Sequence, residues 1–375
     1  MYSVTEEIYT LRNGRPFEID PTNSNRYRLV ALEADGTKTA YYFGVPIYNV
    51  HTRKILDLKF HKGEKGSRMI GGNADINIGE SIRLENKNDF CNITMPEGYV
   101  YRNERCVAYN GAEIYPTTNG IACRAVCGEG GKFVFTLKTG KPFYNIRHNG
   151  KYFALMREKF KPFVTVSCIG AMDASGEIIA PAEIKYRKIN DAECELSVSS
   201  NAPDSHSVLF EVNLQEEKLI QDTTVESKNP KSNNAFGGTA FIGNSVAFGE
   251  QWLYSRPDFS KLRELFGHSV QRVTLYAPTL DKNKVLLSAF GLSNRFCSFG
   301  SNWNNKKPAN STLNVSSRIN GYQKIDLTDM MVQSQRLMTR SEGWILKSAV
   351  KNSGFSVIST GDSFYAPQIL EVKFK

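Results

Sequence analysis

In the run EQWLYSRP, Trp252, Tyr254 and Arg256 stand two residues apart, so a strand would place all three on one face. Indole and phenol rings match the C–H faces of sugars, and a guanidinium pairs with acidic groups. Trp303, in SNWNN, is a fourth candidate for the same surface. Glycan or partner binding is therefore the chemistry these four residues offer. The competing account is that Trp252 and Trp303 are core residues, and Trp344 in GWILKS reads as core more plainly still.

No catalytic constellation accompanies them. A glycosidase needs two carboxylates flanking one bond. Asp326 and Asp329 are close, but DLTD at a helix start is accounted for by capping and the helix dipole. GGNADINIGES around Asp75 lacks the glycine position and closing glutamate of a calcium loop. NNAFGGTAFIG has three glycines, yet no lysine follows Gly243 and the spacing fits neither phosphate-binding loop. It reads instead as a turn at Gly237 and Gly238 entering a strand, with Phe241 and Ile242 on opposite faces. Cys123 and Cys127 would make half a zinc site, but no second Cys or His pair lies at finger-like spacing. The expectation is a non-enzyme with no metal and no cofactor.

A chain of 375 residues accommodates two ordinary domains. Its 41% hydrophobic and 23% charged residues exclude a disordered or membrane-embedded chain, and no apolar run reaches membrane-spanning length. The first twenty residues lack a basic start and an apolar core, so no secretory signal is expected. Seven cysteines, an odd number, are expected as reduced thiols packed in β-structure. Residues 220–375 hold 19 Lys and Arg against 11 Asp and Glu, whereas residues 1–219 hold 28 against 27. The basic excess is C-terminal and dispersed, which suits an acidic polysaccharide or wall polymer. No nucleic-acid-binding motif accompanies it.

Two segments carry helix signals, PDFSKLRELFG (257–267) and DLTDMMVQSQ (326–335), capped from Asp258 or Ser260 and from Asp326 or Thr328. Elsewhere short runs such as RYRLVALE, KFVFTLKTG, SVLFEVNL and QILEVKF alternate with turns, Asp35-Gly36 and Ser175-Gly176 being hairpin tips. The pattern predicts an all-β protein. A polar stretch over 213–234 separates an N-terminal β-sandwich-like domain (1–215) from a C-terminal one (216–375).

From about residue 220 onward the order of motifs resembles the DNRLRE-type domain, a jelly-roll family of bacterial surface and repeat proteins related to polysaccharide-binding modules. QDTTVESKNPKSNNAFGGTAFIG matches its opening strand and turn, and EQWLYSRPDFSKL, VQRVTLYAP, SNWNN and YQKIDLTDMMVQ follow in order. EGWILKS and FSVISTGDSFYAPQILEVKFK close the series. The resemblance implies a C-terminal jelly-roll β-sandwich. With the missing signal it leads to the expected role: a structural or binding protein, either a bacteriophage virion appendage or decoration or a bacterial surface protein. Its expected partners are other virion or surface proteins and an acidic glycan, without nucleic acid or membrane, within an oligomer or larger assembly. The alternatives are a carbohydrate-active enzyme with its site in the N-terminal domain and a basic nucleic-acid binder.

Overall fold

The computed structural model describes residues 3–47, 55, 58–63, 66–70, 72–96, 100–102, 106–128, 131–202, 207–215, 217–262, 269–283, 285–331, 342–351 and 354–375. These form an all-β protein with four antiparallel sheets and little helix. The chain separates into two compact units, one of Met1–Val4 with Asn49–Glu217, the other of Thr5–Tyr48 with Lys218–Lys375. The sequence pattern assigns residues 5–48 to the N-terminal domain, and the structure assigns them to the C-terminal unit. Strand Lys38–Phe43 pairs along its length with the last strand, Ile369–Phe374. That pairing joins segments more than three hundred residues apart and leaves no local trace in sequence.

In the first unit an eight-stranded and a nine-stranded sheet contribute to one core. Alternation sets which side chains enter it. In Asp75–Ile78 and Ile82–Glu85 the residues Ile76, Ile78, Ile82 and Leu84 are buried, while Asp75 and Asn77 are exposed. Asp75 thus lies on a strand face, 3.5 Å from Arg68, and not in a calcium loop. Phe135 of one sheet stacks on Phe210 of the other with ring centroids 5.0 Å apart, a contact contributing about 0.5–1.5 kcal/mol beyond area burial.

The second unit also has two sheets around one core. One runs Glu18–Ile19, Arg28–Leu32, Lys38–Phe43, Ile369–Phe374, Val270–Pro278, Tyr322–Asp326, Ser317–Ile319. The other contains Ala309–Val315, Leu287–Leu292, Trp344–Ser348, Gly249–Pro257, Thr239–Ser245 and Phe355–Ser359. Its central strand, Gly249–Pro257, has Ile220–Glu226 along one edge; on the other it pairs first with Thr239–Ser245 and then with Trp344–Ser348. Thr239–Ser245 is the strand expected from NNAFGGTAFIG, but the demanding glycine is the last one. Gly243 has φ +125°, and a Cβ there would meet the Gly354 carbonyl oxygen at 2.2 Å. Gly237 and Gly238 show no positive φ.

Helix Val4–Leu11 was not expected from sequence. Val4, Ile8 and Leu11, spaced four and three apart, are buried and make its apolar stripe. Of the two expected helices, the first is a short 3₁₀ turn, Phe259–Lys261, capped by Asp258. The second begins as a helical turn at Thr328, whose N–H donates to Asp326. Residues 263–267 and 332–335 of these segments lie outside the described residues.

Lys218 and Asp222, where the chain re-enters the unit, meet Asp362 near its end. Lys218 Nζ donates to Asp362, and the Gly361 N–H donates to Asp222. All three side chains are largely out of water. One ammonium, hydrogen-bonded to Asp362, faces two buried carboxyls, which favours retention of a proton between them. Burial, reinforced by the adjacent Asp362, raises the Asp222 pKa well above the ordinary carboxylate range. Burial also raises Asp362, with Lys218 opposing.

A raised folded-state pKa gives stability that is complete below about pH 4 and lost as pH rises through the folded value. D222N keeps a neutral partner for Asp362 and removes that loss. Thermal melts are expected to show the variant close to the parent at pH 4.5 and more stable at pH 8. A variant less stable than the parent at pH 8 would contradict the shared proton.

Candidate functional site

Strand Gly249–Pro257 buries apolar side chains on both of its faces. Leu253 enters the inter-sheet core, while Tyr254 packs with Val225, Leu292, Phe296 and Ile345 on the other side. That second face is covered by the segment after Leu287–Leu292, which carries Phe296 and Trp303 and returns in Ala309–Val315.

The covering segment is fastened at several points. Asn233 Nδ2 donates to the carbonyls of Ser298 at 2.6 Å and Ser301 at 2.8 Å. Phe236 meets Phe299 edge to face, 5.2 Å between centroids. Tyr254 Oη donates to the Lys307 carbonyl at 3.0 Å. The short helix Trp303–Asn305 is closed by a capping box between Asn302 and Asn305. The NNAFGG stretch thus does two structural jobs: it enters a strand, and it ties down the segment that delivers Trp303.

Trp252 and Trp303, both half-buried at the rim of this satellite core, lie 4.9 Å apart at 53°. Trp252 Nε1 donates to Glu250 at 2.8 Å. Lys347 Nζ stands 3.7 Å from the Trp252 ring centroid, and Lys306 Nζ 4.1 Å from that of Trp303. Trp252, Lys347, Glu250, Phe290 and Leu313 border an open cleft of about 660 Å³.

The four sequence candidates therefore separate. Trp252 and Trp303 come together. Tyr254 is 1% exposed and its hydroxyl is taken by Lys307, so it positions the covering segment and does not face a ligand. Arg256 shares the strand face but sits 3.8 Å from Glu342 and over the Phe259 ring. Strand alternation predicts a common direction correctly; it does not predict which part of that face another segment covers. Trp344 is fully buried.

Lys306, Lys347 and Glu250 were not singled out from sequence. Lys347 had a signal: it follows Ile345 by two residues in WILKS, which puts both on one strand face. Lys306, in the irregular covering segment, had none.

Cys123 is buried in the first unit's core, whereas Cys127 is half-buried at its margin. Among the described residues no three His, Cys, Asp or Glu side chains form a metal-binding group, and no helix is long and apolar enough to cross a membrane. Comparison with protein-family models and with curated proteins finds no match for the chain.

Two expectations follow. Tyr254→Phe removes the hydroxyl that holds Lys307 and should cost about 1 kcal/mol in unfolding free energy. It should also make Trp303 fluorescence more quenchable by acrylamide; unchanged quenching would show that the covering segment is held without it. Burial raises the pKa of the Cys91, Cys123, Cys168 and Cys194 thiols, Cys194 to about 12, whereas Cys297 is exposed. A disulfide-exchange titration at pH 8 should label Cys297 first and those four only after unfolding. Fast labelling of the four in the native protein would contradict their packing.

Proposed function

We propose that this chain is a non-catalytic attachment protein whose C-terminal unit holds an acidic glycan or wall polymer at the Trp252–Trp303 pair. The carrying observation is that pair: two indoles brought together by separate segments, partly open to solvent, with a lysine at each ring and a cleft alongside. Flat rings supply stacking area for sugar C–H faces, and the ammoniums supply charge for an acid. The basic excess of residues 220–375 favours approach of a polyanion.

The setting, a bacteriophage virion appendage or decoration or a bacterial surface, rests on the resemblance of residues 220–375 to DNRLRE-type jelly-roll domains. Several copies in one assembly would raise avidity by about 10² to 10⁴ over a single weak site.

A glycan array with the full-length chain, at low and moderate salt, tests the reading. Binding should favour acidic glycans and weaken with salt. Trp252→Ala and Trp303→Ala should each lower affinity about tenfold, roughly 1.4 kcal/mol, with thermal melts confirming that the variants fold. Binding unaffected by both substitutions removes the site from the account. Cleavage of a polysaccharide by the purified chain would instead support an enzyme with its site in the N-terminal unit.

A further inference from the structure

Both rings of the candidate site are already in contact with cations. Lys347 Nζ lies 3.7 Å from the Trp252 centroid and 5.0 Å from that of Phe290. Lys306 Nζ lies 4.1 Å from Trp303 and 5.6 Å from Trp252. Two ammoniums therefore converge on one aromatic pair.

Their local compensation is incomplete. Glu250 is the carboxylate bordering the cleft beside them, and one of its oxygens accepts the Trp252 indole proton. Lys351 adds a further cation to the lining. Lys306 Nζ reaches the Trp303 carbonyl at 3.5 Å, a long hydrogen bond, and Lys347 feels the Glu250 carboxylate without a direct ion pair among the described residues. Lys347 is half-buried; burial lowers its pKa, Glu250 opposes this, and Lys306 lowers it further. The cluster gains by accepting an anion.

We propose that Lys306 and Lys347 determine the specificity of this site: they cap the indole rings in the free protein and admit sugars that bear an acidic group. The inference rests on the proposed role of the Trp252–Trp303 pair. A neutral sugar that stacks on either ring must displace an ammonium and gives it no partner in exchange. An acidic sugar offers the displaced ammonium a charge-assisted hydrogen bond, stronger than a neutral one, while its ring takes the vacated indole face. Ligand charge thus uncovers the surface on which the ligand stacks. The recognised chemistry is a pyranose with an anionic substituent, carboxylate in the first instance.

The test uses the full-length chain and a panel of glucuronate, galacturonate and mannuronate oligosaccharides, each beside its methyl ester. Esterification removes the charge and keeps the ring. Calorimetric titration should find at least one acid bound at least tenfold more tightly than its ester. K347Q should weaken that acid about tenfold and bring acid and ester close together; K306Q, on a different segment, should do the same more weakly. Thermal melts establish that both variants fold. Equal affinity of acid and ester, lost on Trp252→Ala, would overturn the lysine proposal while keeping the aromatic site. Discrimination that survives in both lysine variants would also overturn it. No binding to any member of the panel would remove the lysine proposal together with the reading on which it rests.

Discussion

Much of the C-terminal unit follows from one constraint: strand Gly249–Pro257 buries apolar side chains on both of its faces. Leu253 faces the inter-sheet core, and Tyr254, with Val225 and Ile345 beside it, would leave a bare apolar patch on the outside. A patch of that kind must be covered or become an interface. The chain covers most of it with the segment that carries Phe296 and Trp303. Cover stops at Trp252, where an indole edge, a second indole and two lysines meet solvent. The candidate site is the margin of a second, smaller core.

That origin explains how the site is fastened without being on a regular element. Trp303 stands on a single 3₁₀ turn, yet Asn233, Phe236 and Tyr254 hold the surrounding segment from three different positions. A binding surface on a fastened segment loses little conformational freedom on association, which is where flexible loops lose affinity. The positions that fix the segment, Asn233, Phe236 and Tyr254, do not line the cleft, so changes there would act on it only through Trp303.

The sequence is informative where physics is local. Short runs bounded by turn residues mark the strands RYRLVALE, KFVFTLKTG and SVLFEVNL, and the turn glycines Gly36 and Gly176 both adopt positive φ. It is silent about partners. Lys38–Phe43 looks like any half-buried strand, and nothing in it points to Ile369–Phe374; hence residues 5–48 go to the wrong unit when read by position alone. The helix Val4–Leu11 shows only Val4, Ile8 and Leu11 as its stripe, three residues in a short run. Likewise Trp252, Tyr254 and Arg256 share a face by spacing, but burial of Tyr254 depends on a segment whose cover is set by side-chain ties and not by periodicity. Lys306 is the extreme case, an irregular-segment residue whose place over Trp303 exists only in three dimensions.

The central claim is that Trp252 and Trp303 form one ligand face while Trp344 does not take part. The chain has three tryptophans, so a ¹H–¹⁵N spectrum of the full-length protein should contain three indole N–H resonances. Titration with an acidic oligosaccharide that the protein binds is the most direct measurement. The account predicts that the Trp252 and Trp303 resonances shift together along one saturation curve and that Trp344 stays in place. Saturable binding that leaves both Trp252 and Trp303 unmoved would contradict it.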